Sequence, residues 1–198
     1  NMLSGRKYCS NYLSLTRDSL KPLFNRPLMA QYPPGSIFKT LQALIALEEG
    51  VITAREKIYV DGSLIGDHAP PGNYDVVRAI KNSSNNYFFK VFRRLINKSN
   101  TGNAFEDARI GLTKWRDYVA SFGLGSPLNI DIPSSKGGSI PSVETYDRIY
   151  GEKRWKFSTI YSLSIGQGEM LVTPLQMANL AAIIGNKGFY YTPHLVRE

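Results

Sequence analysis

Cysteine is nearly absent from this 198-residue chain: Cys9 stands alone, which excludes an internal disulfide framework and leaves a small buried or incidental residue. Histidine occurs only as His68 and His194, which do not make a metal set. No stretch approaches the roughly 18 consecutive apolar residues of a membrane span. The start Asn1-Met2-Leu3-Ser4-Gly5 lacks the basic-then-apolar order of a signal peptide. Repeats and low-complexity runs are missing too. The short run Gly166-Gln167-Gly168 has neither the G-x-x-x-x-G-K-[ST] pattern nor the G-x-G-x-x-G pattern of a phosphate loop. It reads as a turn ahead of a helix with Thr173 as N-cap and Pro174 in the first position. Acidic residues are the minority, 16 against 24 Lys and Arg, for a net charge of +8. The cations are dispersed, with Arg93-Arg94 and Lys153-Arg154 the densest patches, and no nucleic-acid-binding signature accompanies them. A solvated basic surface, compatible with nearby anionic polymers, is the expectation. A hydrophobic content of 42% suffices for one core and one domain over residues 1–198.

What is present is concentrated in Tyr32-Pro33-Pro34-Gly35-Ser36-Ile37-Phe38-Lys39. It puts Ser36 and Lys39 on one face of a helix that begins there. A hydroxyl becomes a nucleophile when a base takes its proton, and an amine serves only if burial lowers its pKa towards neutrality. An isolated S-x-x-K usually means a solvated serine and lysine. Here Ile37, Phe38, Leu41, Ala43, Leu44, Ile45, Ala46 and Leu47 make the helix apolar nearly all round, so it is expected to be buried. Pro33 and Pro34 keep the approach extended, and Gly35 permits an unusual backbone angle or a close ligand approach. The second stretch, Ala79-Ile80-Lys81-Asn82-Ser83-Ser84-Asn85-Asn86-Tyr87-Phe88-Phe89, carries S-x-N in two frames, Ser83/Asn85 and Ser84/Asn86. In the plain reading it is a polar loop between helices, since Ser and Asn compete for local backbone hydrogen bonds. In a catalytic reading, the serine relays a proton and the asparagine orients the substrate or the lysine, on an element packed by the aromatic block.

These motifs together resemble the class B penicillin-binding proteins, closest to their elongation-specific D,D-transpeptidases. S-x-x-K with S-x-N belongs to the signature of penicillin-binding proteins and β-lactamases. Residues 26–39 resemble the active-serine segment, and 83–89 the S-x-N segment, which selects the Ser83/Asn85 frame. Ser164-Ile165-Gly166-Gln167-Gly168, Thr173-Pro174-Leu175-Gln176-Met177-Ala178 and Tyr191-Thr192-Pro193-His194-Leu195-Val196 are similar to later family segments. The resemblance implies Ser36 as nucleophile, Lys39 as general base, Ser83 as relay and Asn85 as orienting group, with substrate contacts from Gly35, Ser84, Gly166, Gln167 and Gly168. It implies peptidoglycan stem peptides as substrates, β-lactams as covalent ligands and no cofactor. A membrane glycosyltransferase of the elongation machinery is the implied partner of the parent protein, on the periplasmic face of a bacterial inner membrane. Some relatives hold zinc with His, Asp and the middle residue of the S-x-N motif. That residue is Ser84 here, beside Asp67-His68, and no metal is expected. The same motifs also serve D,D-carboxypeptidases and β-lactamases, in which water replaces the amine, and non-catalytic penicillin sensors.

The implied fold is α+β, of the β-lactamase/transpeptidase type, as a C-terminally truncated and mainly helical fragment lacking most of the antiparallel sheet. No K-T-G, K-S-G, H-T-G or R-T-G triplet occurs; in relatives that motif lies downstream of the segment matching residues 189–197. Without it the chain alone is expected to be inactive or nearly so. Helices are predicted over Ser36–Glu49, Tyr74–Leu95 with a break near the S-x-N turn, Leu112–Phe122 and Pro174–Asn186. Long polar connections are predicted over Asn97–Asp107 and Asp131–Trp155.

Overall fold

The computed structural model describes residues 8–196, with side chains from Asn11 onward. The first seven residues and the Cys9 side chain, on which the signal-peptide and cysteine readings rest, lie outside the described residues. Helix α1 (Tyr8–Arg17) and the one-turn α2 (Arg26–Met29) lead to Tyr32, which forms an antiparallel bridge with Val172. A 3₁₀ turn, Gly35–Phe38, runs directly into α3 (Lys39–Glu48). Strands β1 (Ile58–Val60) and β2 (Gly72–Tyr74) pair antiparallel with Ile58 opposite Tyr74 and Val60 opposite Gly72. Among the described residues this ribbon is the whole sheet and the other named elements are helices joined by loops, in keeping with the predicted mainly helical fragment.

The predicted break at the S-x-N turn is present, between α4 (Val76–Lys81) and α5 (Asn85–Ile96). Tyr74, however, belongs to β2 and not to a helix; its hydroxyl donates to the Pro70 carbonyl at 2.7 Å. Asp75 then caps α4, its carboxylate accepting from Arg78 N at 2.8 Å. The largest departure from expectation is α6, which spans Ala104–Ser121 and starts eight residues before Leu112. It turns the end of the expected 97–107 connection into helix. Asn103 caps it by accepting from Phe105 N at 3.0 Å, and Glu106 and Asp107 sit in the first turn, where the helix dipole favours negative charge. The expected 131–155 connection likewise contains α7 (Val143–Tyr150), opened by a Ser142/Thr145 capping box. Past it come α8 (Phe157–Ile160), a 3₁₀ segment (Tyr161–Ile165) and α9 (Pro174–Gly185), which starts with Thr173 capping and Pro174 first, as predicted.

Helix α5 organises the interior. One face, with Phe92, Leu95 and Ile96, joins a core with Phe38, Leu41, Ile45, Leu112 and Trp115. The other, with Tyr87, Phe88 and Val91, joins a second core with Ala43, Ala46, Ile58 and Tyr74. Trp115 is fully buried, takes Phe38 and Phe92 edge-on at 5.9 and 5.6 Å, and donates its indole N–H to Gln42 Oε1 at 2.9 Å. Burying such a ring contributes about 2–3 kcal/mol by area alone. The 3₁₀ turn and α3 are not buried all round as their composition suggested: Ile37 is 63% and Leu44 40% exposed, while Lys39 is buried. A lysine inside and an isoleucine outside invert the usual order, and the inversion marks the site.

Candidate active site

Three anchors hold the turn that carries Ser36. Tyr32 and Val172 exchange both backbone hydrogen bonds at 2.9 Å. The diproline comes next, and it is not extended throughout as expected: Pro34 has already turned into the helical region, at φ −67° and ψ −21°. It can do so because its successor is Gly35, which adopts φ +59° and donates its N–H to the Gly166 carbonyl at 2.8 Å. Gly166 itself is left-handed (φ +70°), and a Cβ there would collide with the Gly35 carbonyl and crowd Phe38. Only glycine meets both demands. The Gly166-Gln167-Gly168 turn is thus the backing of the Ser36 turn: Gly166 is buried against Gly35, and Gln167 and Gly168 are exposed beside it. Ser36 is exposed at the surface, whereas Lys39, one 3₁₀ turn later on the same face, is 1% exposed.

The second half of the site is a helix end with one unusual residue. Ser83 N donates to Ile80 O, and Ser84 N to Ala79 O, both at 3.0 Å, the paired bonds of a Schellman termination of α4. The position that such a termination normally gives to glycine is Ser83, at φ +51°. Its conformation aims both its carbonyl and its hydroxyl at Lys39, whose Nζ lies 2.6 Å from Ser83 O and 3.0 Å from Ser83 Oγ. The third partner is Asn85 Oδ1 at 2.6 Å. The Asn85 amide is oriented by its other end, since Nδ2 donates to Gly66 O at 2.7 Å. Among the described residues Lys39 Nζ makes no hydrogen bond to Ser36, so the predicted pair share a face while the amine turns to the S-x-N motif.

Burial lowers the Lys39 pKa to about 8, with the Asp67 carboxylate pulling weakly the other way. Phe88 lies 5.9 Å from the ammonium. Among the described residues no carboxylate bonds the amine directly. Lys39 therefore remains largely charged at neutral pH but reaches its neutral form far more readily than an exposed lysine.

Ser84 does not join this surface, which corrects its expected role as a substrate contact. It is fully buried, caps α5 by accepting from Tyr87 N at 3.2 Å, and donates to Asp67 Oδ2 at 2.8 Å. Asp67 Oδ2 also accepts from Asn86 N at 2.8 Å and from Asn86 Nδ2 at 3.2 Å, and Oδ1 accepts from Ala69 N at 3.1 Å. Asn86 reaches back to Ile65 O at 2.7 Å and accepts from Leu64 N at 3.0 Å. This clasp fixes the 64–69 loop on the start of α5, and with it the Gly66 carbonyl that aims Asn85. Sequence reasoning missed Asp67 and Asn86 as positioning residues; a second asparagine directly after S-x-N was the available signal. Among the described residues no cluster of His, Cys, Asp and Glu is arranged for a metal ion.

Residues 3–198 match the family described as the penicillin binding protein transpeptidase domain. The chain belongs to that family. It is 29% identical over 197 residues to the peptidoglycan D,D-transpeptidase MrdA of Haemophilus influenzae, covering 94% of this chain and 28% of the relative. The crystal structure of Pseudomonas aeruginosa PBP2 in complex with WCK 5153 superposes with a TM-score of 0.76 at 27% identity, over 93% of this chain and 41% of that one. A chain from a peptidoglycan synthase complex that coordinates polymerization and crosslinking gives a TM-score of 0.78 at 26% identity, over all of this chain and 33% of its own length. The chain thus spans little more than a quarter of the length of the curated relative it matches.

Proposed function

We propose that this chain is the nucleophile-bearing part of a peptidoglycan D,D-transpeptidase that crosslinks stem peptides during cell-wall elongation. The observation that carries the reading is the set of bonds around Lys39. A neutral amine has two N–H donors and one lone pair. The two 2.6 Å contacts go to groups that only accept, the Ser83 carbonyl and the Asn85 amide oxygen. The third position on the nitrogen faces Ser83 Oγ at 3.0 Å, an N–H donor in the charged amine and a lone pair in the neutral one. A proton held on Lys39 is thus one hydrogen bond from Ser83, which supports a relay between the two.

In the reaction, Ser36 Oγ attacks the carbonyl between the two terminal D-alanines, and Lys39 takes the hydroxyl proton. The oxyanion is met by the Ser36 N–H at the start of its turn. The carbon–nitrogen bond breaks as Lys39, through Ser83, returns the proton to the departing D-alanine amine, which leaves an ester on Ser36. The amine of a neighbouring stem displaces the serine, and the proton goes back the same way. A β-lactam enters as the acyl donor and remains on Ser36 because its leaving group stays tethered. Gly35, Gln167 and Gly168 border the position of the donor, while the buried Gly166, expected as a substrate contact, acts behind them as support for the turn. The third family motif, a K-T-G strand, is proposed to follow residue 198 and to complete the oxyanion hole. A membrane anchor and a polymerase partner are likewise proposed for the longer protein. The likeness to a chain of a peptidoglycan synthase complex that coordinates polymerization and crosslinking supports the polymerase partner.

Mass spectrometry after fluorescent-penicillin labelling tests the reading on three versions: this chain, the chain extended through the next motif, and the extended Ser36→Ala protein. An adduct is expected on the extended wild type alone. An adduct retained by the alanine variant would remove Ser36 from the nucleophile role.

A further inference from the structure

A cleft of about 490 Å³ opens beside the S-x-N end of α5, lined by Leu64, Phe89, Arg93, Asn97, Phe157 and Tyr161 among others. It continues past Leu64, Phe89 and Arg93 into a second cleft of about 590 Å³. Its floor is aromatic: the Phe89 ring meets Phe157 edge-on at 5.0 Å and Tyr161 at 5.6 Å. Its rim is cationic. Lys90, Arg93, Arg94 and Lys156 line the two clefts and no carboxylate does. Arg94 is compensated by Glu56 and Lys90 is tied to the Tyr59 carbonyl. Arg93 and Lys156 pair with no acid among the described residues; each lies near a ring, Arg93 at 6.0 Å from Phe157 and Lys156 at 5.8 Å from Phe105.

The trench is continuous with the site. Phe89 lies one turn beyond Asn85 on α5 and Arg93 two turns beyond, about 12 Å along the axis at 1.5 Å per residue. Leu64 at its edge belongs to the loop clasped by Asp67 and Asn86.

We propose that this trench is a second binding site, which takes the carboxylate-bearing glycopeptide strand away from the scissile bond. The inference rests on the transpeptidase reading for the identity of the strand. The apolar faces of sugar rings lie on Phe89 and Tyr161, and stem-peptide carboxylates meet Arg93 and Lys156. Ring faces with unpaired cations and no acid select such a ligand by charge as well as shape.

The test uses the whole transpeptidase in its Ser36→Ala form, so that binding is read without acylation, and purified glycan strands bearing intact stem peptides. Arg93→Glu with Lys156→Glu is expected to weaken strand binding roughly tenfold or more, and wild-type binding to weaken as salt rises. Arg93→Lys with Lys156→Arg, which keeps both charges, is expected to weaken binding much less than the charge reversal does. A cooperative thermal melt confirms that each variant is folded. Unchanged strand binding after charge reversal in a folded protein overturns the proposal, as does loss of binding to anionic vesicles alone. Failure of the transpeptidase reading shows separately, as absence of a Ser36 adduct on the wild type.

Discussion

Two charged side chains are buried at opposite ends of α3, and they are treated in opposite ways. Lys39 at the start has only neutral acceptors, and burial brings its pKa down to about 8. Glu49, just past the helix end, feels the same penalty, but Lys114, Lys98 and Tyr118 bond its carboxylate at 2.7, 2.8 and 2.5 Å, and these outweigh burial and hold it at about 2. Lys98 also donates to the Glu49 backbone carbonyl at 2.6 Å, so the cluster joins the end of α3 to the end of α5 and to α6. Desolvation disfavours charge at both places, and the bonding partner determines whether the charge survives. A carboxylate met by opposite charge becomes a fixed staple. An amine met only by dipoles stays close to titration, which suits a group that must gain and lose a proton in each cycle.

The comparison breaks most visibly if Lys39 is made permanently charged. Lys39→Arg keeps a cation but cannot deprotonate near neutral pH, and its acylation by penicillin in the extended protein is expected to fall by roughly a thousandfold, within the range that general bases supply. In the unaltered protein the acylation rate should rise with pH and level off above about 8, because the reactive form of Lys39 is the neutral one. The sign for stability agrees. The folded pKa lies below the ordinary 10.5, so the unfolded chain binds more protons between the two values and stability rises with pH across that window. A flat acylation profile from pH 6 to 10 would argue against Lys39 as the base.

Glu49→Gln sharpens the other half. It leaves two ammonium groups around a buried amide, and because Lys98 and Lys114 are about half-exposed they can turn partly to water. The expected loss is about 2 kcal/mol in urea unfolding at pH 7, less than for a fully enclosed pair. For the wild type the contribution of Glu49 is complete above its ordinary pKa of 4.5 and is lost as pH falls towards 2. The variant should therefore show a shallower acid limb, while penicillin acylation is unaffected.

Much of the nucleophile half was legible in the sequence, because it rests on local chemistry. A diproline, a glycine and an S-x-x-K inside an apolar run define a stiff approach, a left-handed residue and a buried lysine. The capping of α9 by Thr173 and Pro174 was readable for the same reason. What failed was long-range or depended on weak local patterns. The start of α6 is set by the Asn103 cap and by Ala108, Leu112, Trp115 and Val119 packing on the core, and the polar residues in its first turns masked it. The burial of Ser84 comes from its bond to Asp67, 17 residues away, and no spacing rule announces that contact. The turn of Lys39 towards Ser83 and Asn85 depends on bonds across more than 40 residues.

The smallest predicted effect concerns backbone strain at Ser83. A non-glycine residue in the left-handed region costs about 1–2 kcal/mol relative to its relaxed conformation. Strain of this kind persists at sites where a side chain must be held in place. Two variants separate the backbone from the hydroxyl. Ser83→Ala and Ser83→Gly both delete the bond to Lys39 Nζ and both keep the carbonyl bond at 2.6 Å. They differ in that alanine keeps a Cβ at φ +51° and glycine does not. Glycine's greater freedom in the unfolded chain offsets part of that relief. The glycine variant is expected to be more stable than the alanine variant by about 1 kcal/mol in chemical denaturation, and both to lose acylation to a similar degree. If alanine proved the more stable of the two, the left-handed turn at Ser83 would not be under strain, and its geometry would need another cause.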